Sequence, residues 1–151
     1  MHCILFVCYG NICRSPMAEF VMKDLVKKHG LESAFDIASR GTSTEELGNP
    51  VYPPIAAVLK RHGISAAGKT AMQLRAEDYR DYDLLIAMDS MNVRAIRRMT
   101  GGDPQGKVHT MMEHTAAGGD VDDPWYTRQF DKTYRDILAG CKRWLDVLLA
   151  E

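Results

Sequence analysis

Only four cysteines occur in the 151 residues, and no two of them form a Cys-x2-Cys pair. Cys3, Cys8, Cys13 and Cys141, with scattered histidines such as His109 and His114, show no metal-ligand spacing, so no metal is implied. The N-terminus has no basic segment followed by the apolar core of a secretory signal, so reduced thiols are the default. Charge of one sign is missing too: 19 Lys and Arg stand against 20 Asp and Glu, a net charge of −1. That excludes nucleic acid or membrane as a partner drawn in by the whole surface. No apolar run approaches the ~20 residues that a bilayer-spanning helix needs. Repeats, linkers and low-complexity tracts are absent. With 46% hydrophobic residues, the chain is expected to be a single cytoplasmic domain, residues 1–151, with one core.

Short apolar runs alternate with helical periodicity. CILFV (3–7) predicts a strand buried on both faces. Met17, Phe20, Val21, Met22, Leu25 and Val26 recur at helical spacing, with Ser15 as the expected cap, Pro16 at the first helical position and Gly30 beyond the end. Further strands are predicted at 35–39, 83–88 and 107–111. Helices are predicted from Pro53 to Gly63, at 75–81, at 91–99 capped by Asp89 and Ser90, and along the apolar stripe from Phe130 to Leu148. Residues 113–126 read as a loop. Alternating strands and helices predict a parallel sheet with helices on both faces. In such a sheet the first loop, Ser39 and the 113–126 loop meet at the carboxyl edge, where sites form. Cys3 and Cys141 are expected as small buried hydrophobes.

The loop between the first strand and helix, CYGNICRS (8–15), concentrates unusual residues. A strand-to-helix turn directs successive N–H groups into a concavity suited to a tetrahedral oxyanion. Gly10 is expected to permit the backbone geometry. Arg14 adds a planar fork of donors that matches two phosphate oxygens. Asn11 and Ser15 can hold the loop or the sulfur. The same field favours the anion of Cys8, which is expected to be a thiolate at neutral pH, aimed at the centre of a bound phosphoryl group.

VCYGNICRSPMAE (7–19) resembles the active-site loop of the low-molecular-weight protein tyrosine phosphatases. The similarity continues through IASRGTS (37–43), GNP (48–50), KRHGI (60–64), IAMD (86–89) and DDPWY (122–126). It implies a flavodoxin-like four-stranded parallel sheet flanked by helices. By position, Cys8 matches the family's nucleophile, Arg14 its phosphate-binding arginine and Asp123 its general acid. Asn11, Ser15 and Ser39 match residues that shape the loop and stabilise the thiolate. Gly10, Ile12 and Cys13 belong to the phosphate-binding loop, and Tyr9, Trp125 and Tyr126 match the walls of the entrance. Glu45 falls where some relatives carry an aromatic residue, which hints at an acidic side to the entrance. The implied partner is a phosphotyrosine-containing protein or peptide, the implied state a monomer or weak dimer, and no cofactor is implied.

The chemistry asks for an acid independently, because a tyrosyl oxygen leaves poorly as an anion. Asp120 and Asp122 are sequence rivals of Asp123 for that task. A related branch of the fold acts on phosphoarginine and tends to carry threonine where this chain has Ile12, so Ile12, Trp125 and Tyr126 favour tyrosine. Arsenate reductases share the loop but need further cysteines, and residues 75–100 hold none. A phosphate-binding module or a phosphocysteine carrier would have no use for Asp123. Cys13 is close enough in sequence to trap an oxidised Cys8 as a disulfide, or it simply packs under the loop.

Overall fold

A computed structural model describes residues 1–151. Four parallel strands, β1 (His2–Cys8), β2 (Phe35–Gly41), β3 (Leu84–Ala87) and β4 (Val108–Thr110), form one sheet in the order β2-β1-β3-β4. Helices α1 (Arg14–Lys28), α2 (Pro53–Arg61), α3 (Ala76–Asp81), α4 (Ser90–Met99), α5 (Pro124–Thr127) and α6 (Phe130–Leu149) complete the chain. This is the α/β architecture expected from the pattern. No helix is long and apolar enough to cross a membrane.

The reason β1 is apolar throughout is its central place. It pairs with β2 on one side and β3 on the other, so residues of both parities must be covered by helices. Ile4 and Phe6 belong to the larger core, with Met17, Val21 and Met22 of α1, Ile55 and Leu59 of α2, and Ile137, Cys141 and Trp144 of α6. Leu5 and Val7 point to the opposite face and pack with Leu74, Leu85, Ala87 and Ile96. Cys141 is fully buried, as expected, whereas Cys3 is only half-buried because it lies near the sheet's open end beside Asp83.

Three local expectations are corrected. Helix α1 begins two residues earlier than expected, at Arg14, with Cys13 as its cap, so Ser15 lies inside the first turn and Pro16 follows it. Proline is tolerated there because a first-turn N–H has no helical acceptor. The 113–126 loop contains the start of α5, a single turn that Asp123 caps by accepting from the Trp125 N–H at 3.0 Å. A 3-10 turn at Glu32–Ala34, also unforeseen, leads into β2.

Gly140 fixes how closely α6 approaches the sheet. A Cβ at that position would stand 2.7 Å from the Met111 carbonyl oxygen and 3.0 Å from Met111 Cγ. Replacing a mid-helix glycine with alanine normally gains up to ~1 kcal/mol. Overpacking against a backbone carbonyl costs about 1–3 kcal/mol, which outweighs that gain. Gly140→Ala is therefore expected to lower Tm by a few degrees in thermal unfolding, not raise it.

Candidate active site

Strand β1 ends at Cys8, and the chain then turns through residues 9–13 into α1. The turn needs one left-handed residue. That residue is Asn11, at φ 58°, and not Gly10, which has no positive φ. Asparagine tolerates this region, and here its side chain has three uses. Met72 N–H donates to Asn11 Oδ1 at 3.0 Å, which sets the amide's orientation, while Nδ2 donates to Ser15 Oγ at 2.8 Å and Ser39 Oγ at 3.0 Å. Gly41 lies against the same turn: a Cβ on it would be 2.8 Å from the Tyr9 carbonyl oxygen.

The hydrogen bonds have a direction that ends on sulfur. Ser39 Oγ donates to Glu19 Oε1 at 2.6 Å, since an ionised carboxylate can only accept. Ser39 must then accept from Asn11, and Asn11's other hydrogen goes to Ser15. Ser15 is left to donate its own proton, and the nearer of its two acceptors is Cys8 Sγ at 2.9 Å, with the Arg40 carbonyl at 3.3 Å. The Asn11 N–H adds a second donor to Sγ at 3.3 Å. Glu19, 5% exposed, is held by Lys23 Nζ at 2.6 Å and Lys69 Nζ at 3.8 Å. Burial pulls the Lys69 ammonium below its usual range, and Glu19 works against that shift. Both hydrogen bonds to Sγ stabilise negative charge on it.

The next N–H groups along the turn, those of Ile12, Cys13, Arg14 and Ser15, find no acceptor within the chain. They supply the row of donors that an oxyanion requires. Arg14 is 3% exposed, and its guanidinium is divided between support and presentation. Nη1 donates to Asp89 Oδ2 at 2.7 Å and to the Val121 carbonyl at 2.9 Å. Nη2 only grazes Asp123 Oδ2, at 3.5 Å, and Nε bonds to nothing in the chain. The Nε–Nη2 edge is therefore the one available for a bidentate grip. Burial alone would lower the pKa of Arg14, but the neighbouring sulfur, Asp89 and Asp123 raise it above the ordinary value.

These groups line a cavity of about 130 Å³ together with Tyr9, Gly10, Ile12, Cys13, Glu45, Glu46, Asp123, Trp125 and Tyr126. Asp123 Oδ1 is committed to the Trp125 N–H, which leaves Oδ2, 3.5 Å from Arg14 Nη2, as its less engaged oxygen. The two sequence rivals lie outside this lining: Asp120 accepts from the Ser90 N–H, and Asp122 sits 3.7 Å from Lys132. Trp125 packs on Tyr52 at a ring distance of 5.0 Å, while Tyr126 is 81% exposed. Across the mouth, Tyr9 Oη donates to Glu45 Oε1 at 2.7 Å, and that bond raises the phenol's pKa.

Sequence reasoning placed Cys8, Arg14, Ser39 and Asp123 in one place, and the structure brings them together. It overlooked Asp89 beyond its role as a helix cap. One oxygen of Asp89 caps α4 through the Asn92 N–H, and the other holds Arg14. Glu19, Lys69 and Glu46 were also overlooked. Glu19 stands in the quoted SPMAE stretch at the spacing of a buried helix face, the one local signal that was available.

Cys13, 6% exposed beneath the loop, has a thiol that burial pushes up to about 12, with the Cys8 sulfur and Asp123 adding to the shift. It stays protonated at neutral pH and becomes a nucleophile only in strong alkali. Iodoacetamide at pH 7, followed by peptide mapping, is expected to label Cys8 and spare both Cys13 and the fully buried Cys141.

Comparisons with known proteins agree with this geometry. The family description "low molecular weight phosphotyrosine protein phosphatase" matches residues 3–151. The chain is 38% identical over 144 residues to the low molecular weight protein-tyrosine-phosphatase YfkJ of Bacillus subtilis, spanning 94% of this chain and 92% of that one. It is 44% identical over 126 residues to the low molecular weight phosphotyrosine protein phosphatase of Schizosaccharomyces pombe, spanning 82% and 80%. The crystal structure of YfkJ superposes with a TM-score of 0.96 at 37% identity, over 99% of this chain and 96% of the other. A Drosophila arginine phosphatase is similar at a TM-score of 0.88 and 28% identity, over 96% of each chain. By profile, sequence and structure, this chain belongs to the low molecular weight phosphotyrosine protein phosphatase family.

Proposed function

We propose that this protein hydrolyses phosphotyrosine in a protein or peptide through a phosphocysteine on Cys8. The observation that carries the reading is one cavity lined by a sulfur that accepts from Ser15 and Asn11, the free edge of a buried arginine and an acid at the rim. The dianionic phosphoryl group lies on the N–H row of residues 12–15, with two of its oxygens on the Nε–Nη2 edge of Arg14. The thiolate attacks phosphorus in line, the P–O bond to the ring breaks, and the electron pair leaves on the tyrosyl oxygen. Asp123 Oδ2 delivers a proton to that oxygen, so tyrosine departs neutral. The same carboxylate then takes a proton from water as water attacks phosphorus, which releases phosphate and restores the thiolate. Tyr9, Trp125 and Tyr126 supply flat walls for the ring. No step calls for a metal or an organic cofactor.

A second reading, action on phosphoarginine, is supported by the similarity to the Drosophila arginine phosphatase. Ile12, an apolar residue lining the cavity, and the aromatic pair after Pro124 favour a phenyl ring instead.

Two measurements test the proposal. Cys8→Ser is expected to lose at least ~10³-fold in turnover of a phosphotyrosine peptide, with no phosphoenzyme in a rapid quench. Asp123→Asn is expected to lose about 10²–10⁴-fold on aryl phosphates with poor leaving groups and far less as the leaving-group pKa falls. A uniform loss across the leaving-group series would remove Asp123 from the role of acid. Faster turnover of phosphoarginine than of phosphotyrosine peptides would favour the second reading.

A further inference from the structure

The mouth of the cavity carries more negative charge than its chemistry uses. A pocket that admits a phosphate dianion gains from a positive approach, yet Glu45 and Glu46 both line this one. Other carboxylates around the site each face a cation: Asp89 and Asp123 face Arg14, Glu19 faces Lys23 and Lys69, and Asp122 faces Lys132. Glu45 and Glu46 instead accept only neutral donors. Tyr9 Oη binds Glu45 Oε1, and Asn49 Nδ2 binds Glu46 Oε2 at 2.7 Å. Neither has a cation partner in the chain, and each keeps one oxygen with no partner.

Their positions are fixed by those same bonds. Glu45 is tied to the Tyr9 ring, one wall of the entrance. Glu46 packs against the loop itself, its Cγ 3.4 Å from where a Gly10 Cβ would stand. Its charge is felt at the cavity floor, where it is one of the groups raising the Cys13 pKa. Trp125 and Tyr126 supply an uncharged aromatic lip. The lining has a single cation, Arg14, and that one is occupied by the phosphate in the proposed reaction.

Resting on the reading of this site as a phosphotyrosine pocket, we propose that Glu45 and Glu46 are specificity-determining residues that select phosphotyrosine flanked by lysine or arginine. An extended peptide advances ~3.4 Å per residue, which leaves the side chains next to the phosphotyrosine at the rim while its ring is in the cavity. A basic neighbour supplies the missing cation for a fixed carboxylate. An acidic neighbour meets like charge, and this repulsion is the stronger discriminator, because it adds to the repulsion already borne by the phosphate. The acidic mouth thus costs some attraction for every substrate and returns selection among them.

The test is kcat/KM on three phosphotyrosine peptides that differ only in the residues flanking the phosphotyrosine: lysines, serines or glutamates. Exposed pairs contribute modestly, so the expected span between the lysine and glutamate peptides is about tenfold at low salt. It should shrink toward unity at ~0.5 M salt, where the screening length falls below ~5 Å. The double variant Glu45→Gln, Glu46→Gln keeps an acceptor for Tyr9 and for Asn49 while removing both charges, and is expected to abolish most of the span. Equal rates on the three peptides, a preference for the glutamate peptide, or a span unaffected by the double substitution would each overturn the inference. Failure of the wild-type protein to turn over even the serine peptide would instead overturn the phosphatase reading on which it rests.

Discussion

Sulfur and guanidinium share one buried corner, and each makes the other tolerable. A guanidinium removed from water loses hydration that must be replaced by full hydrogen bonding and opposite charge. Asp89, the Val121 carbonyl and the neighbouring sulfur supply part of it for Arg14, and the unbonded Nε–Nη2 edge leaves the remainder to a bound anion. The sulfur, in turn, has Ser15 and the Asn11 N–H for donors and the guanidinium for its counter-charge. The support is asymmetric, and this matters for function. The two close bonds that hold Arg14, from Asp89 and the Val121 carbonyl, are at its Nη1 end, so the far edge, which only Asp123 approaches at 3.5 Å, can take an anion without loss of that anchorage.

The rest of the site preserves that arrangement at a distance. Glu19 never approaches the cavity, yet as a pure acceptor it sets the order of every hydrogen bond from Ser39 through Asn11 to Ser15. A polar chain of this kind is stable in the interior only when each member is satisfied, and here each is. Asp89 and Asp123 both cap a helix with one oxygen and face Arg14 with the other. Helix starts are thereby used as brackets: α4 and α5 each point a carboxylate at the same guanidinium from a different loop.

The fold was largely legible because each element carried its own period. β1 could be read from five consecutive apolar residues, and α6 from a stripe that its burial follows from Tyr134 to Leu148. β4 was harder, since its three residues are only half-buried and its place comes from pairing with β3. Helix α5 was hidden because one turn has no period, and Asp-Pro reads equally well as a loop. Within the site, residues close in sequence were legible: Asn11 and Ser15 hold the loop and the sulfur as expected, while the left-handed turn position falls to Asn11 and not Gly10, and the helix cap to Cys13 and not Ser15. What escaped was long-range partnership. The Arg14–Asp89 pair joins positions 75 apart, and the Lys69–Glu19 pair joins helix α1 to a loop beyond α2. No spacing rule encodes such contacts.

The strand order has one more consequence. β1 is the first strand in the chain, but its two neighbours are β2 and β3, and α1 is covered by α6 at the other end. Parallel pairing of this kind waits on distant segments, and closing such loops is slow. Cys8 closes the first strand, yet Ser39, Asp89, Val121 and Asp123 must all be brought into place around its loop. Until the segment carrying Val121 and Asp123 has docked, the loop after β1 has its donors but Arg14 lacks part of its anchorage, so the pocket takes shape late in the chain's own folding.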